Sequence, residues 1–467
     1  MKLALAVQQF FPEHHTGTEV LTHRTARRLR ELGHEVTIFT AYPLDYRIHL
    51  PPDKLMDEYH FDEFPVCRFL FSPEPNSPHG HIIKREYCNQ QIEAAFERQL
   101  KDRQIHLVHF FHFMRLGMSL IDVCDRLSIP AIYTATDFFA ACHQSKLMLE
   151  DGSPCQGPDD IGLNCIKHYI DLAFSQKDKQ KTSELSDAEW ERLIAEVRSP
   201  GSTGTSAQMP GDGTELRCLI EAVTQRGDYV RRQLRKLNRI TAATEPVRDT
   251  INRLKGDGRE VLLLPHGIDK KGVIARERKQ TTPLRAGFIG SVIAAKGVHT
   301  LVKAARQIPQ EVPLQLKIYG EPVSEGYYQD LLRMADGDSR IEFCGLFPND
   351  KIWQVIDELD VLVMPSTWPE NLPLVLLSAQ AAHCPLLCSK VDGISGLIKH
   401  DVNGLLFEKE DYGQLAEHLR KVIDDPELLT RLSRNAAPVA SIEEYVDSLT
   451  GLYEEVTATR TGMTSIS

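Results

Sequence analysis

No stretch of this chain is apolar for long enough to cross a bilayer, so a spanning helix is excluded. Positive charge is scarce too: 54 Lys and Arg stand against 65 Asp and Glu, a net charge of −11. Nonspecific nucleic-acid binding needs a basic footprint, so no nucleic-acid partner is expected. The apolar start Leu3–Val7 is too short for a signal-peptide core and runs straight into polar Gln8 and Gln9. The chain is therefore expected in the cytoplasm, with its ten cysteines mostly reduced.

What is present points to a large α/β protein. A chain of 467 residues exceeds the usual span of one domain, so two or three are expected. Lys2–Val7 reads as a strand, a helix follows from about Thr18 to Leu32, Gly33 caps it, and Val36–Thr40 forms the next strand. This is a βαβ opening. A strand, glycine turn and helix restart at Leu284–Ser291, after Leu262–Asp269 closes the first half. The restart divides the chain into a domain at 1–270, a linker near 270–283 and a second domain at 283–440. A helix within 441–467 should cross back to the first domain, burying Ile442, Tyr445, Leu449 and Leu452 as one stripe. Two basic runs, His23–Arg30 and Arg231–Arg239, read most simply as solvated helix faces. Contact with an anionic lipid surface is the other reading.

The segment Pro365–Ser378, PSTWPENLPLVLLS, carries the most chemistry. Asp360–Met364 before it is a short apolar run of the kind that forms a buried parallel strand. Pro373 suits the start of a helix running on from Leu374 to His383. The amides of Leu374 and Val375 would then lie free at the carboxyl end of the strand, where a phosphate can bind. Glu370, one short loop away, is placed to accept hydrogen bonds from hydroxyls on whatever that phosphate carries. An ordinary strand–loop–helix connection fits the same turn.

With Lys296–Gly297 ahead of a helix, and strand-like runs at Leu316–Gly320, Ile341–Gly345 and Gly404–Phe407, this segment resembles the family-four retaining glycosyltransferases. The resemblance extends over nearly the whole chain. It implies the α/β GT-B fold, two Rossmann-like domains with parallel sheets facing across a cleft. It also implies an enzyme of glycan, polysaccharide or glycolipid synthesis. A sugar would move from a nucleotide-diphosphate sugar to an acceptor hydroxyl with its anomeric configuration retained. By the same resemblance Glu370 and Asn371 hold the donor sugar, Lys296 and the amides of Leu374 and Val375 meet the diphosphate, and Ser291 stands near the place of an arginine. Ser378 occupies the position where relatives carry a second glutamate, which holds the ribose. Gly17, with Thr16 before it, stands where relatives have a pair of glycines close to the sugar phosphate. His112, at the end of the run Leu107–His112, would contact the transferred sugar, whereas His109 reads as a core histidine. Asp137 borders the acceptor site or serves its own loop.

No Asp-x-Asp pair of the metal-binding type stands at a strand end, which suits a departure that needs no metal. The resemblance thus implies a nucleotide sugar as co-substrate and no further cofactor. The acceptor would be a glycan, a lipid-linked molecule or a small molecule. Peripheral contact with the inner face of a membrane would accompany a lipid-linked one. An insertion is expected at about 140–230, where Leu185, Trp190, Leu193 and Ile194 have helical spacing and Ser199–Gly213 has linker composition. Cys142, Cys155, Cys165 and His168 fall in or beside it. They are either unpaired loop residues or the ligands of a structural zinc that staples the loop.

Two other readings remain open at this level. One is a different enzyme of the same fold, an epimerase or a phosphorylase, although no pyridoxal-binding lysine signature is found. The other is a catalytically weakened binding or scaffolding subunit. Ser378, and Gly396 where relatives often carry an acid, favour it.

Overall fold

Apolar runs without alternation bury both faces of a strand, and the chain is built on two sheets of such strands. The computed structural model describes residues 1–42, 55–71, 79–149, 152–199 and 214–464. The first sheet contains β1 (Lys2–Ala6), β2 (Glu35–Ala41), β3 (Met56–Phe61), β4 (Phe64–Phe69), β5 (Leu107–Phe110), β6 (Ala131–Ala135), β7 (Arg239–Ala242) and β8 (Leu262–Leu263). Their order is β3-β4-β2-β1-β5-β6-β7-β8. Every neighbouring pair is parallel except the edge hairpin β3–β4. The second sheet contains β9 (Leu284–Ile289), β10 (Leu314–Tyr319), β11 (Ile341–Gly345), β12 (Val361–Met364), β13 (Leu386–Ser389) and β14 (Gly404–Phe407). Its order is β11-β10-β9-β12-β13-β14, parallel throughout.

Strand order reverses direction at β1/β5 in one sheet and at β9/β12 in the other. At such a switch point the loops leaving the carboxyl ends diverge and open a crevice for a ligand. The chain forms two compact units, Met1–Leu264 with Val446–Ser467, and Pro265–Tyr445.

Residues 270–283 are not a loose linker, because their side chains are tied into the second unit. Arg278 is buried and donates to the Asp357 carboxylate (3.0 Å) and the Ala382 carbonyl, and Gln280 donates to the Ile423 carbonyl (2.7 Å). The final helix, Ile442–Thr464, begins in the second unit and continues in the first. Its buried stripe runs Ile442, Tyr445, Val446, Leu449, Tyr453 and Val456. Leu452 is only half-buried, since the stripe advances by four residues after Leu449. The Tyr453 hydroxyl meets His109 Nδ1 at 2.6 Å, and His109 Nε2 meets the Thr134 hydroxyl at 2.8 Å. Burial lowers His109 to about 3, so it is a neutral, satisfied core histidine.

Among the described residues between β6 and β7 lie four helices, Leu163–Ala173, Gln176–Ser183, Asp187–Arg198 and Thr214–Lys236. Trp190, Leu193, Ile166 and Leu219 share an apolar cluster that also takes in Ile83 and Tyr87. Within Ser199–Gly213, residues 200–213 lie outside the described residues, as do Glu150 and Asp151. The two basic runs are laced with acids: Arg28 pairs with Glu31, Arg30 with Glu63, Arg231 with Asp228 and Lys236 with Asp122. Among the described residues no helix is long and apolar enough to cross a membrane.

Candidate functional site

In the second unit the loops after the switch strands β9 and β12 converge. The Thr367 amide donates to the Ala295 carbonyl (2.8 Å), lashing one loop to the other. Gly297 has φ +69°, and a Cβ there would stand 1.8 Å from the Pro365 carbonyl oxygen. Only glycine lets the turn carrying Lys296 lie this close. Lys296 Nζ then reaches Glu370 Oε1 at 2.7 Å. The Ser366 hydroxyl (2.6 Å) and the Trp368 indole N–H (2.8 Å) donate to the same oxygen. Among the described residues Oε2 accepts no hydrogen bond, and it is the oxygen left for a ligand hydroxyl.

Glu370 is 8 % exposed. Burial works to raise its carboxyl, but the Lys296 charge and the three donated hydrogen bonds outweigh it and hold the group below its ordinary value. Its backbone is fixed as well, the amide donating to the Asp392 carbonyl (2.9 Å). Gly393 (φ +79°) presses against it, where a Cβ would stand 1.8 Å from the Glu370 carbonyl oxygen.

The helix Leu374–Ala381 starts one turn beyond Glu370, with Pro373 at its N-cap and no side-chain cap. The amides of Leu374 and Val375 carry no hydrogen bond among the described residues, and they leave a donor pair at the positive end of the helix. Asn371 is half-buried beside Glu370. Ser291 is half-buried and makes no side-chain hydrogen bond among the described residues. Ser378 is 3 % exposed and its hydroxyl donates to the Leu374 carbonyl (3.0 Å), the i−4 bond open to a serine inside a helix. The hydroxyl oxygen retains its capacity to accept a hydrogen bond.

In the first unit an imidazole–carboxylate hydrogen bond sits at the carboxyl ends of β5 and β6. His112 Nε2 meets Asp137 Oδ2 at 2.7 Å, and His112 Nδ1 accepts the Met114 amide (3.0 Å). The bond at Nδ1 assigns the ring proton to Nε2. Both ring nitrogens are thus engaged, and the imidazole is 2 % exposed. His112 orients its neighbour, and Asp137 is the more accessible member of the pair. Nearby, Thr16 precedes the helix Gly17–Glu31 and donates to Glu19 Oε2 (2.6 Å), and Gln8 donates to Glu19 Oε1 (2.8 Å). The space where a Gly17 Cβ would stand is open. Burial pushes Glu86 up to about 7, against the opposing charges of Arg226, Arg115 and His112.

The zinc reading does not hold: among the described residues no group of three or more His, Cys, Asp or Glu side chains is arranged to hold a metal. Cys142 packs in the core under β5 and β6, and Cys165 packs on the separate cluster of the inserted helices. The Cys155 thiol is bonded to the Gly157 backbone.

Sequence reasoning assigned no role to Ser366, Trp368 or Gly393, although the first two lie inside the quoted segment. Arg226 was missed altogether, because it shares its helix with several exposed arginines and reads as one of them.

Known proteins match each half of the chain. Residues 269–438 fit the family model "Glycosyl transferases group 1" and residues 15–148 fit "Glycosyltransferase Family 4". The α-D-kanosaminyltransferase of Streptomyces kanamyceticus is 26 % identical over 174 residues, 36 % of this chain and 45 % of that protein. The chain spans about half the length of the curated relatives it first matches. Among solved structures, sucrose-phosphate synthase from Thermosynechococcus elongatus superposes with a TM-score of 0.64 at 16 % identity, covering 98 % of this chain and 99 % of that one. Anabaena HepE in complex with UDP and glucose has a TM-score of 0.61 at 14 % identity, covering 97 % and 99 %. With two parallel-sheet α/β units and a family match in each, the chain belongs to the family-four glycosyltransferases of GT-B fold.

Proposed function

We propose that the chain is a retaining glycosyltransferase, with the donor held by the second unit and the acceptor by the first. The observation that carries this reading is the meeting of Lys296, Glu370 and two unbonded amides at the β9/β12 switch point. A nucleoside diphosphate supplies the matching chemistry, phosphates for the ammonium and the helix start, and sugar hydroxyls for Glu370 Oε2. HepE, a neighbour in fold, holds UDP and glucose.

In the reaction the bond between the anomeric carbon and the phosphate oxygen breaks, and the electron pair leaves on the diphosphate. Lys296 and the start of the helix Leu374–Ala381 stabilise that charge, the preorganised electrostatics that dominates such steps. The acceptor oxygen bonds to the same face of the anomeric carbon, and its proton passes to the departing phosphate oxygen. Positive charge at the leaving group comes from the protein in this scheme. Asp137 would hold the acceptor hydroxyl.

A panel of UDP-, GDP-, ADP- and dTDP-sugars, read by thermal shift and by donor hydrolysis, tests the proposal. Stabilisation and turnover with at least one member is expected. No binding of any nucleotide or nucleotide sugar would overturn it in favour of a non-catalytic subunit.

A further inference from the structure

One buried charge on the inserted helices reaches the acceptor side. Arg226, on the helix Thr214–Lys236, is 8 % exposed and makes no salt bridge among the described residues. Its guanidinium donates to two consecutive carbonyls, Nη2 to Phe139 and Nη1 to Ala140 (3.1 Å). It also lies 5.2 Å from the centroid of the Phe139 ring. A buried cation is costly, and an apolar side chain would fill the position without that cost. What the guanidinium adds is direction, since a rigid fork on adjacent carbonyls fixes two peptide planes at once.

The peptide immediately before them, joined to the clamped pair at the Phe139 Cα, holds the Asp137 carboxylate. The Phe139 amide donates to Asp137 Oδ1 (2.8 Å), and His112 donates to Oδ2. The His112 ring lies 5.1 Å from the same Phe139 ring, and the Thr136 hydroxyl ties the loop to the Phe111 carbonyl (3.0 Å). The side chain of Asp137 is 28 % exposed and that of His112 is 3 %. Every contact that sets the angle of this carboxylate therefore runs through the 136–140 loop or through His112, and Arg226 anchors the loop from behind.

We propose that Arg226 is a positioning residue for Asp137, so that the inserted helices complete the acceptor half of the protein. The proposal rests on the transferase reading for the meaning of "acceptor". Its geometry does not depend on that reading. Releasing the fork lets the loop shift and turns the carboxylate. A displacement of about 1 Å at a positioned group costs on the order of 100-fold in rate.

The test uses the full chain labelled with ¹⁵N-histidine. The wild type should show a His112 side-chain Nε2–H signal that exchanges slowly with water, assigned by its loss in His112→Gln. In Arg226→Gln that exchange should speed up at least tenfold and the tautomer signature should blur. Arg226→Lys, which reaches one carbonyl at a time, should fall between. Nucleotide affinity measured calorimetrically with UDP should stay within twofold, because the second unit is untouched. A folded Arg226→Gln with an unchanged His112 signal overturns the proposal. Where neither variant folds, hydrogen–deuterium exchange of the Phe139 amide in the wild type decides. Protection equal to that of β6 supports the anchor, and exchange at the rate of an open loop refutes it. Failure of every nucleotide sugar to react would strike the transferase reading and leave this result standing.

Discussion

The two units each place a nitrogen donor beside a carboxylate at the carboxyl ends of their parallel strands, but with opposite burial. In the second unit the carboxylate is the buried member, with Glu370 carrying three donors on one oxygen. In the first unit the donor is buried: the His112 side chain is 3 % exposed and that of Asp137 28 %. A buried acceptor locked on one side presents a single lone-pair direction and suits a ligand of fixed geometry. An exposed carboxylate steered by a hidden imidazole tolerates more varied partners. The contrast fits one nucleotide donor and a looser acceptor.

The largest effect should come from breaking the buried pair. Glu370→Gln keeps the shape but removes the charge, and should lower donor kcat/KM by about 10- to 150-fold, the 1.5–3 kcal/mol of a charged hydrogen bond. Equal turnover by mutant and wild type would remove Glu370 from the donor site.

Next in size is the burial of Glu86 beside the exposed pair. Its carboxyl sits near 7 in the folded chain against an ordinary 4.5. Between these values the unfolded chain has released the proton and the folded chain has not, so stability falls as pH rises through that window. Urea melts of Glu86→Gln and wild type should agree at low pH and diverge by on the order of 2–3 kcal/mol at pH 8, the variant being more stable. Parallel stabilities across the range would show that Glu86 is solvated.

Asp137→Asn should be milder. A hydrogen bond to a carboxylate with one accessible member contributes about 1 kcal/mol to folding, so melting should move little while the acceptor KM rises several-fold. A large loss of stability would make Asp137 structural and erase the contrast. Smallest of all, Ser378→Ala should change stability by less than about 0.5 kcal/mol and donor affinity by less than twofold, because its hydroxyl bonds back into its own helix. A tenfold loss of nucleotide affinity, measured by calorimetric titration, would instead put Ser378 on the ribose.

Legibility followed burial. β1 from Leu3 onward and β12 read as uninterrupted apolar runs because both of their faces are buried. The Gly297 turn was visible because backbone crowding restricts the residue to glycine. The hairpin β3–β4 was not read, since its half-buried pattern on a sheet edge is weak. Directions of side chains were the main loss. Spacing put Leu452 on the buried stripe where Tyr453 stands. Composition likewise could not separate Arg226, a buried fork, from the surface arginines a few residues on. The cysteine spacing hinted at a shared metal, but two of those thiols belong to different apolar clusters.

The Lys296–Glu370 contact also bears on what could block the donor half. A basic sugar mimic gains affinity for a carboxylate by offering it a charged hydrogen bond. Here an ammonium already occupies that role at 2.7 Å, and a second positive charge would be repelled by Lys296. A neutral polyol that donates to Oε2, joined to an anion that draws Lys296 toward it, would suit the pair better. Inhibitor libraries built on basic nitrogen should therefore do poorly against this chain, and anionic sugar mimics should do well.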